Sequence, residues 1–187
     1  MTAQLDVLTA GYVGDNVASS VVLVRDGSTI AVIDPGMVAS RDRILGPLER
    51  AGVAPDDVTD VIFSHHHPDH TINAALFGRA RYHDYWAIYE DDTWTTRLVA
   101  DHEDGWPLSD SIRLLSTPGH TAQDISTLVD TDQGLVVCTH AWWNEEGPAE
   151  DPLAQSADQL RTSRDRLLGL GPALIVPGHG AAYAPRT

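Results

Sequence analysis

Four short apolar segments of this 187-residue chain each lead into a histidine within a few residues. The segments are rich in β-branched and aliphatic side chains, a composition that predicts buried strands. Each predicted strand and its histidine are residues 58–63 with His65, 112–115 with His120, 135–138 with His140, and 174–176 with His179. In a layered α/β domain, strand-end loops are where functional side chains collect. We therefore expect these four histidines to contribute to one functional site.

The first of these histidines opens the run His-His-His-Pro-Asp-His at residues 65–70. Read as His-x-His-x-Asp-His, the run contains four potential metal ligands. Imidazole and carboxylate groups are ligands that zinc and similar divalent metals take readily. Seven of the nine histidines lie in this run or at the other three strand ends. Such clustering predicts a metal site.

The remaining pattern alternates strands and helices in a single domain over residues 1–187. Further strands are predicted over residues 7–13, 17–24, 29–33 and 125–129, and helices over residues 40–51, 71–77 and 153–168. Residues 81–107 contain aromatic side chains among many acids with no clear period, and we expect a helix plus a long loop there. The acidic stretch from residue 145 to 151 is expected to be a solvated loop.

Composition restricts the partners of the chain. A formal net charge of -15 disfavours nucleic acid and anionic membrane surfaces, both of which are bound through clustered basic residues. The N-terminus lacks the pattern of a signal peptide, and no apolar run is long enough to span a bilayer. The single cysteine excludes an internal disulfide. We therefore expect a cytoplasmic protein that acts on a small molecule, and the oligomeric state stays open.

Several motifs, taken in order along nearly the whole chain, resemble the metallo-beta-lactamase superfamily. They are Ile-Asp-Pro-Gly at residues 33–36, the His-x-His-x-Asp-His run with Asn73 after it, Pro-Gly-His-Thr at residues 118–121, and Val-Pro-Gly-His-Gly at residues 176–180. Residues 159–180 are similar to the metallo-beta-lactamase domain-containing hydrolases within it. The resemblance implies an α/β fold: a four-layer αβ/βα sandwich, forming one domain, with a metal site on one edge.

The resemblance also implies two sets of ligands. The first metal would be held by His65, His67 and His120, and the second by Asp69, His70 and His179. The cofactor implied is Zn²⁺, as two ions; one ion, or iron or manganese, stays open as an alternative. Each ion would keep an open position for water, as catalytic sites require.

One position departs from the superfamily pattern. Relatives usually carry an aspartate after the strand over residues 135–138, and its carboxylate bridges the two metals; here the residue is His140. A neutral imidazole has one free lone pair and cannot bridge two cations. We hypothesise that His140 ligates one metal and that solvent forms the bridge. The rival hypothesis is a single metal, with His140 as an acid/base group or substrate contact.

Other residues near these motifs have candidate roles. Trp142 and Trp143 follow His140 directly, and we expect them, together with Asn73, to line the substrate pocket, since tandem tryptophans are costly to leave in water. Core packing of one of the tryptophans is the alternative. Asp34 ends a strand, where it either orients a ligand histidine or caps a turn.

The function implied is hydrolysis of a small ester, thioester, lactone or related acyl compound. A metal-activated hydroxide would attack the carbonyl, with Asp69 and His140 as the catalytic candidates. The alternatives are an iron-dependent oxidoreductase of the same fold, a nuclease or phosphodiesterase, and a non-catalytic ligand-binding member of the superfamily. Metal analysis separates zinc from iron, and substrate panels separate an enzyme from a binding protein.

Overall fold

The structure, a computed structural model, describes residues 2–185. The strands are Gln4–Thr9 (β1), Val21–Asp26 (β2), Thr29–Ile33 (β3), Asp60–Ile62 (β4), Arg81–His83 (β5), Ala87–Glu90 (β6), Thr93–Thr96 (β7), Trp106–Pro107 (β8), Ile112–Ser116 (β9), Ile125–Thr131 (β10), Gly134–Thr139 (β11) and Leu174–Pro177 (β12). The α-helices are Asp42–Arg50 (α1), Pro68–Thr71 (α2) and Ala157–Gly169 (α3), and short 3-10 helices cover Pro55–Asp57, Ala74–Phe77 and Val99–Asp101. Among these residues, no helix combines the length and hydropathy needed to cross a bilayer.

The strands form two sheets. One sheet has seven strands in the order β1 to β7, and the other has five in the order β12-β11-β10-β9-β8. Most neighbours are antiparallel, whereas β3 with β4, β4 with β5, and β11 with β12 are parallel. Because β9 and β11 both pair antiparallel with β10, these two strands run in the same direction. Strands β9, β11 and β12, which precede three of the histidines, therefore end on the same side of the five-stranded sheet, whereas β4, which precedes His65, belongs to the other sheet.

Three groups of buried side chains show how the sheets and helices are stacked in layers. The central group packs one sheet against the other and includes Val22 and Ile62 from the first sheet and Leu114 and Val176 from the second. On the outer face of the seven-stranded sheet, α1 packs through its Ile44 and Leu48 stripe. On the outer face of the five-stranded sheet, α3 packs in the same way. The predicted αβ/βα sandwich is thus confirmed.

Residues 81–107 differ from the prediction, because they form strands β5 to β8 and one 3-10 helix in place of a helix and a long loop. Strand β7 is the edge of the seven-stranded sheet, and all of its side chains are exposed. A strand without a buried face has no alternation of apolar and polar residues, so its sequence lacks the period of two. Backbone pairing with β6 holds β7 in place, and hydrophobic periodicity in the sequence does not reveal backbone pairing.

Candidate metal centre

Loops from both sheets bring the predicted ligands together. His65 and His67 follow β4, the short helix α2 supplies Asp69 and His70, and the other three histidines follow β9, β11 and β12. The backbone N–H of Ile125 donates to the carbonyl of Ser64 at 2.9 Å, which joins the edges of the two sheets beside the cluster. Four overlapping sets of three potential ligand atoms lie in this region, and the atoms of each set lie within 4.8 Å of one another. Two of these sets match the ligand sets predicted from the sequence and are called the first and the second grouping.

The first grouping consists of three imidazole nitrogens. His65 Nε2 lies 3.0 Å from His67 Nδ1, and His120 Nε2 lies 3.1 Å from the same His67 nitrogen. His65 and His120 are buried, while His67 lies on the exposed side. The three nitrogens lie within 4.8 Å of one another, close enough to be ligands of one ion.

The second grouping combines a carboxylate with two imidazoles. Asp69 Oδ2 lies 3.5 Å from His70 Nε2 and 3.6 Å from His179 Nε2. The Asp69 side chain keeps 20% of its surface exposed, whereas His70 is fully buried. His70 Nε2 has no hydrogen-bond partner among the described residues, although it is buried.

His140 lies between the two groupings. Its ring centroid is 4.2 Å from that of His120, 4.6 Å from His65 and 5.0 Å from His179. Its Nε2 lies 3.0 Å from His179 Nε2, and its buried Nδ1 has no partner within the described part of the chain. Burial, reinforced by the neighbouring imidazoles, holds the pKa of His140 well below its usual range. This ring therefore stays neutral and offers a lone pair to the centre.

Groups around the cluster fix the orientation of the ligand rings. Three rings use Nδ1–H for an outer hydrogen bond: His70 donates to Asp34 Oδ2 at 2.8 Å, His120 to Asp151 Oδ2 at 2.7 Å, and His179 to the Ala18 carbonyl at 3.0 Å. A neutral ring that donates through Nδ1 has its lone pair on Nε2. In all three rings, Nε2 is the atom that faces the cluster. Outer partners of this kind are the usual support of histidine ligands.

Asp34 occupies the centre of this support. Besides His70, its carboxylate accepts from the Ser64 backbone N–H at 2.7 Å and from the Ser64 hydroxyl at 2.6 Å. The Ser64 hydroxyl in turn lies 3.0 Å from His65 Nδ1. Asp34 has a φ of 48°, in the left-handed region that Asp and Asn tolerate better than most residues. This carboxylate therefore supports a histidine in each grouping.

The donor set fits a metal ion. Inward-facing imidazole nitrogens lie about 3 Å apart, and burial lowers the pKa of His65 as well as that of His140, which favours the neutral rings. Buried nitrogens without partners are costly unless they bind something. Neutral imidazoles and one carboxylate are suitable ligands for zinc, iron or manganese. Bound ions would thus satisfy nitrogen atoms that otherwise have no partner.

The residues proposed to line a substrate pocket lie in different places. Trp143 Nε1–H donates to Asp151 Oδ2 at 3.0 Å, and its ring centroid is 6.3 Å from that of His179, so this side chain borders the cluster. Trp142 instead packs against the core beneath α3. Asn73 is buried, donating to the Gly36 carbonyl at 2.7 Å and accepting from Arg41.

Asp151 is a site residue that sequence reasoning missed. The prediction of a solvated loop is wrong at this position, because the Asp151 side chain is only 1% exposed and contacts His120. The exposed acids Glu145, Glu146 and Glu150 agree with that prediction. No local pattern separates Asp151 from these neighbours, since its burial depends on how the loop folds over the His120 turn.

Comparison with known proteins identifies the family. The sequence profile of the metallo-beta-lactamase superfamily matches residues 14–179. Metallo-beta-lactamase domain-containing protein 1 of Xenopus laevis is 33% identical over 192 residues, covering 95% of this chain and 79% of that protein. Curated proteins of this name from rat, mouse and human are covered over 62%, 73% and 58% of their length.

Lactonases are also similar. N-acyl homoserine lactonase of Bacillus thuringiensis is 28% identical over 139 residues, covering 67% of this chain and 56% of the lactonase. A solved N-acyl homoserine lactone hydrolase, with N-hexanoyl-L-homoserine bound at its catalytic metal centre, has a TM-score of 0.69 at 19% identity and covers 95% of this chain and 92% of its own. At that identity the likeness shows the fold alone. The profile match and the Xenopus relative together show that this chain belongs to the metallo-beta-lactamase superfamily.

Proposed function

We propose that this protein is a metal-dependent hydrolase of a small acyl compound: an ester, a thioester or a lactone. The observation that carries the proposal is the inward convergence of the lone pairs of His70, His120 and His179, each fixed by an outer hydrogen bond. The lone pair of the buried His70 Nε2 has no hydrogen-bond partner among the described residues, and a purely structural cluster would gain nothing from leaving it so. A site that holds cations requires this arrangement.

Each grouping would hold one ion. In the proposed assignment, His65, His67 and His120 hold the first ion and Asp69, His70 and His179 hold the second. Zinc ions, when bound, would lower the pKa of a water molecule and polarise the carbonyl oxygen of the substrate. Asp69 is partly exposed, so its carboxylate reaches the open side of the site and is the candidate to hold a transferred proton.

His140 is proposed as a ligand of one ion, with solvent as the bridge. Its central position and its unpartnered Nδ1 support that role. The rival arrangement, one ion with His140 as an acid/base group, predicts a different metal content. One ion per chain after complete reconstitution would favour the rival, and about two would favour the proposal.

Similarity to lactonases supports an acyl substrate. The curated Bacillus relative is named for hydrolysis of N-acyl homoserine lactones. Trp143 borders the cluster and would form an aromatic wall for the apolar part of a substrate. The net charge of -15 argues against the nuclease alternative, because nucleic acids carry charge of the same sign.

The experiment combines metal analysis with a substrate panel. Protein purified without added metal is analysed for zinc, iron and manganese, and is then assayed on aryl esters, thioesters and lactones after reconstitution with each metal. We expect hydrolysis that is lost in His67→Ala and unchanged in His102→Ala, a control at an exposed histidine. Full metal occupancy with no hydrolysis of any compound would overturn the proposal and favour a binding protein. Iron as the native metal would favour the oxidoreductase alternative.

A further inference from the structure

Arg164 lies in the middle of α3 and holds both ends of the loop that follows β11. Its Nε–H donates to the carbonyl of Ala141 at 2.7 Å, at the start of the loop. Its Nη1 and Nη2 donate to the carbonyls of Ala149 and Pro148 at 2.6 and 3.3 Å, near the end. The guanidinium carbon also lies 5.7 Å from the ring centroid of Trp142. One side chain therefore spans the base of residues 141–149.

The loop held in this way presents Asp151 to the metal centre. Asp151 accepts from His120 Nδ1–H, from Trp143 Nε1–H, and from the backbone N–H of Leu153 at 2.8 Å. The Asp151 side chain, which accepts from all three donors, is only 1% exposed. A small shift of the loop would break the bond to His120, because hydrogen bonds weaken steeply with misalignment.

The same helix also fixes the His120 turn. Ser163 Oγ–H donates to the Pro118 carbonyl at 2.8 Å, next to Arg164 on α3. Gly119 packs so closely on this helix that an added Cβ would lie 2.5 Å from the Leu160 Cα. Helix α3 therefore fixes both the turn that carries His120 and the loop that carries its partner, Asp151.

We propose that Arg164 is a positioning residue for the metal centre. By holding residues 141–149 against α3, it sets Asp151 where that carboxylate fixes the lone pair of His120 toward the first ligand grouping. This inference rests on the proposed metal-dependent function and deepens it. Arg164 itself would contact neither ion nor substrate, and its effect would pass through the loop. Outer-shell changes of this kind typically cost about 10- to 100-fold in metal affinity.

The test compares Arg164→Gln with Arg161→Gln. Arg161 lies on the same helix, 60% exposed and paired only with Asp158 among the described residues, so its loss leaves the loop untouched. Zinc affinity is measured on full-length protein by competition with a chromophoric chelator. The Nδ1–H signal of His120 is followed in ¹⁵N-histidine NMR spectra of metal-free protein, and thermal unfolding reports the overall fold.

For Arg164→Gln we expect zinc to bind about 10-fold more weakly and the His120 Nδ1–H signal to be lost to exchange. For Arg161→Gln we expect no change. The double variant Arg164→Gln with Asp151→Ala should bind zinc no more weakly than Asp151→Ala alone, because Asp151→Ala already removes the bond through which Arg164 acts. Arg164→Lys keeps the charge but has a single donor nitrogen in place of the three that contact the loop, and should fall between wild type and Arg164→Gln.

A lower unfolding temperature with unchanged zinc affinity and an intact His120 signal would overturn the inference, as would multiplicative effects in the double variant. If Arg164→Gln fails to fold, zinc affinity and the His120 Nδ1–H signal of Arg164→Lys are used for the same test. The NMR signal needs neither zinc nor a substrate. The hydrolase proposal could therefore fail while the positioning role is still confirmed.

Discussion

Replacing Asp34 with asparagine tests how the centre is supported. The amide has the shape of the carboxylate, and Asn also tolerates the φ of 48° at this position, so the backbone should keep its course. The amide oxygen should stay with the Ser64 backbone N–H, which can only donate, because the Ser64 hydroxyl and His70 Nδ1 at the other oxygen can both act as acceptors. The amide nitrogen, however, is a donor facing His70 Nδ1, where the carboxylate now accepts at 2.8 Å.

The expected effect on metal binding follows from the tautomer of His70. Facing a donor, its Nδ1 must give up the proton, which moves to Nε2 and blocks the nitrogen that faces Asp69 and the second ion. Loss of a charge-assisted hydrogen bond costs about 1.5–3 kcal/mol. We therefore expect zinc affinity at the second grouping to fall by about 10- to 100-fold. The first grouping should be weakened less, because it is linked to Asp34 only through Ser64 and His65.

Zinc affinity is measured by chelator competition, with urea unfolding of the metal-free protein as a check on the fold. Asp132→Asn, a change in the exposed turn between β10 and β11, is the matched control. The reasoning would be refuted if Asp34→Asn held both ions with the affinity of the wild type. An equal loss of zinc affinity at both groupings would indicate that Asp34→Asn had disturbed the backbone and had not inverted the His70 tautomer.

Three further predictions concern other parts of the structure. Burial lowers the pKa of His65 and His140 in the folded state, so the unfolded state binds more protons below pH 6.5. The pKa of His83, His120 and His179 is lowered in the same way, whereas burial raises that of Asp124 to about 7, which opposes them by at most one proton. The free energy of unfolding of metal-free protein should therefore fall below about pH 6.5, by up to about 1.4 kcal/mol per pH unit for each proton that the unfolded state binds in excess. Urea titrations from pH 5 to 8 that gave a level line would contradict this. His140→Gln should change the visible spectrum of cobalt-substituted protein, and an identical spectrum would exclude His140 as a ligand. Gly119→Ala should destabilise the protein by about 1–3 kcal/mol through overpacking against Leu160, whereas Gly169→Ala, whose Cβ meets open space, should be neutral or stabilising; equal thermal shifts would count against the close approach.

The strands and their histidines could be predicted from the sequence because each signal is local. An aliphatic run such as residues 174–176 specifies a buried strand, and the histidine that follows it within a few residues is read directly from the chain. The four-layer arrangement could be predicted only through the motifs that, in their order along the chain, resemble the superfamily. Periodicity alone would have supported an α/β domain and no more.

The outer support of the ligands could not be predicted, since it depends on tertiary packing. Asp151 and Arg164 are 13 residues apart, and their relation to His120 exists only after α3 docks on the five-stranded sheet. The Ala18 carbonyl, which accepts from His179, has no side-chain signature in the sequence. For Asp34, the sequence left two interpretations open, and the structure shows the contact with His70.

The most direct test of the account is the metal content of reconstituted protein and of two paired variants. We predict about two zinc ions per chain in the wild type. We predict about one in His67→Ala with His120→Ala, and about one in Asp69→Ala with His179→Ala, because each pair removes two ligands of a single grouping. Metal content unchanged from wild type in both paired variants would contradict the assignment of these residues as ligands.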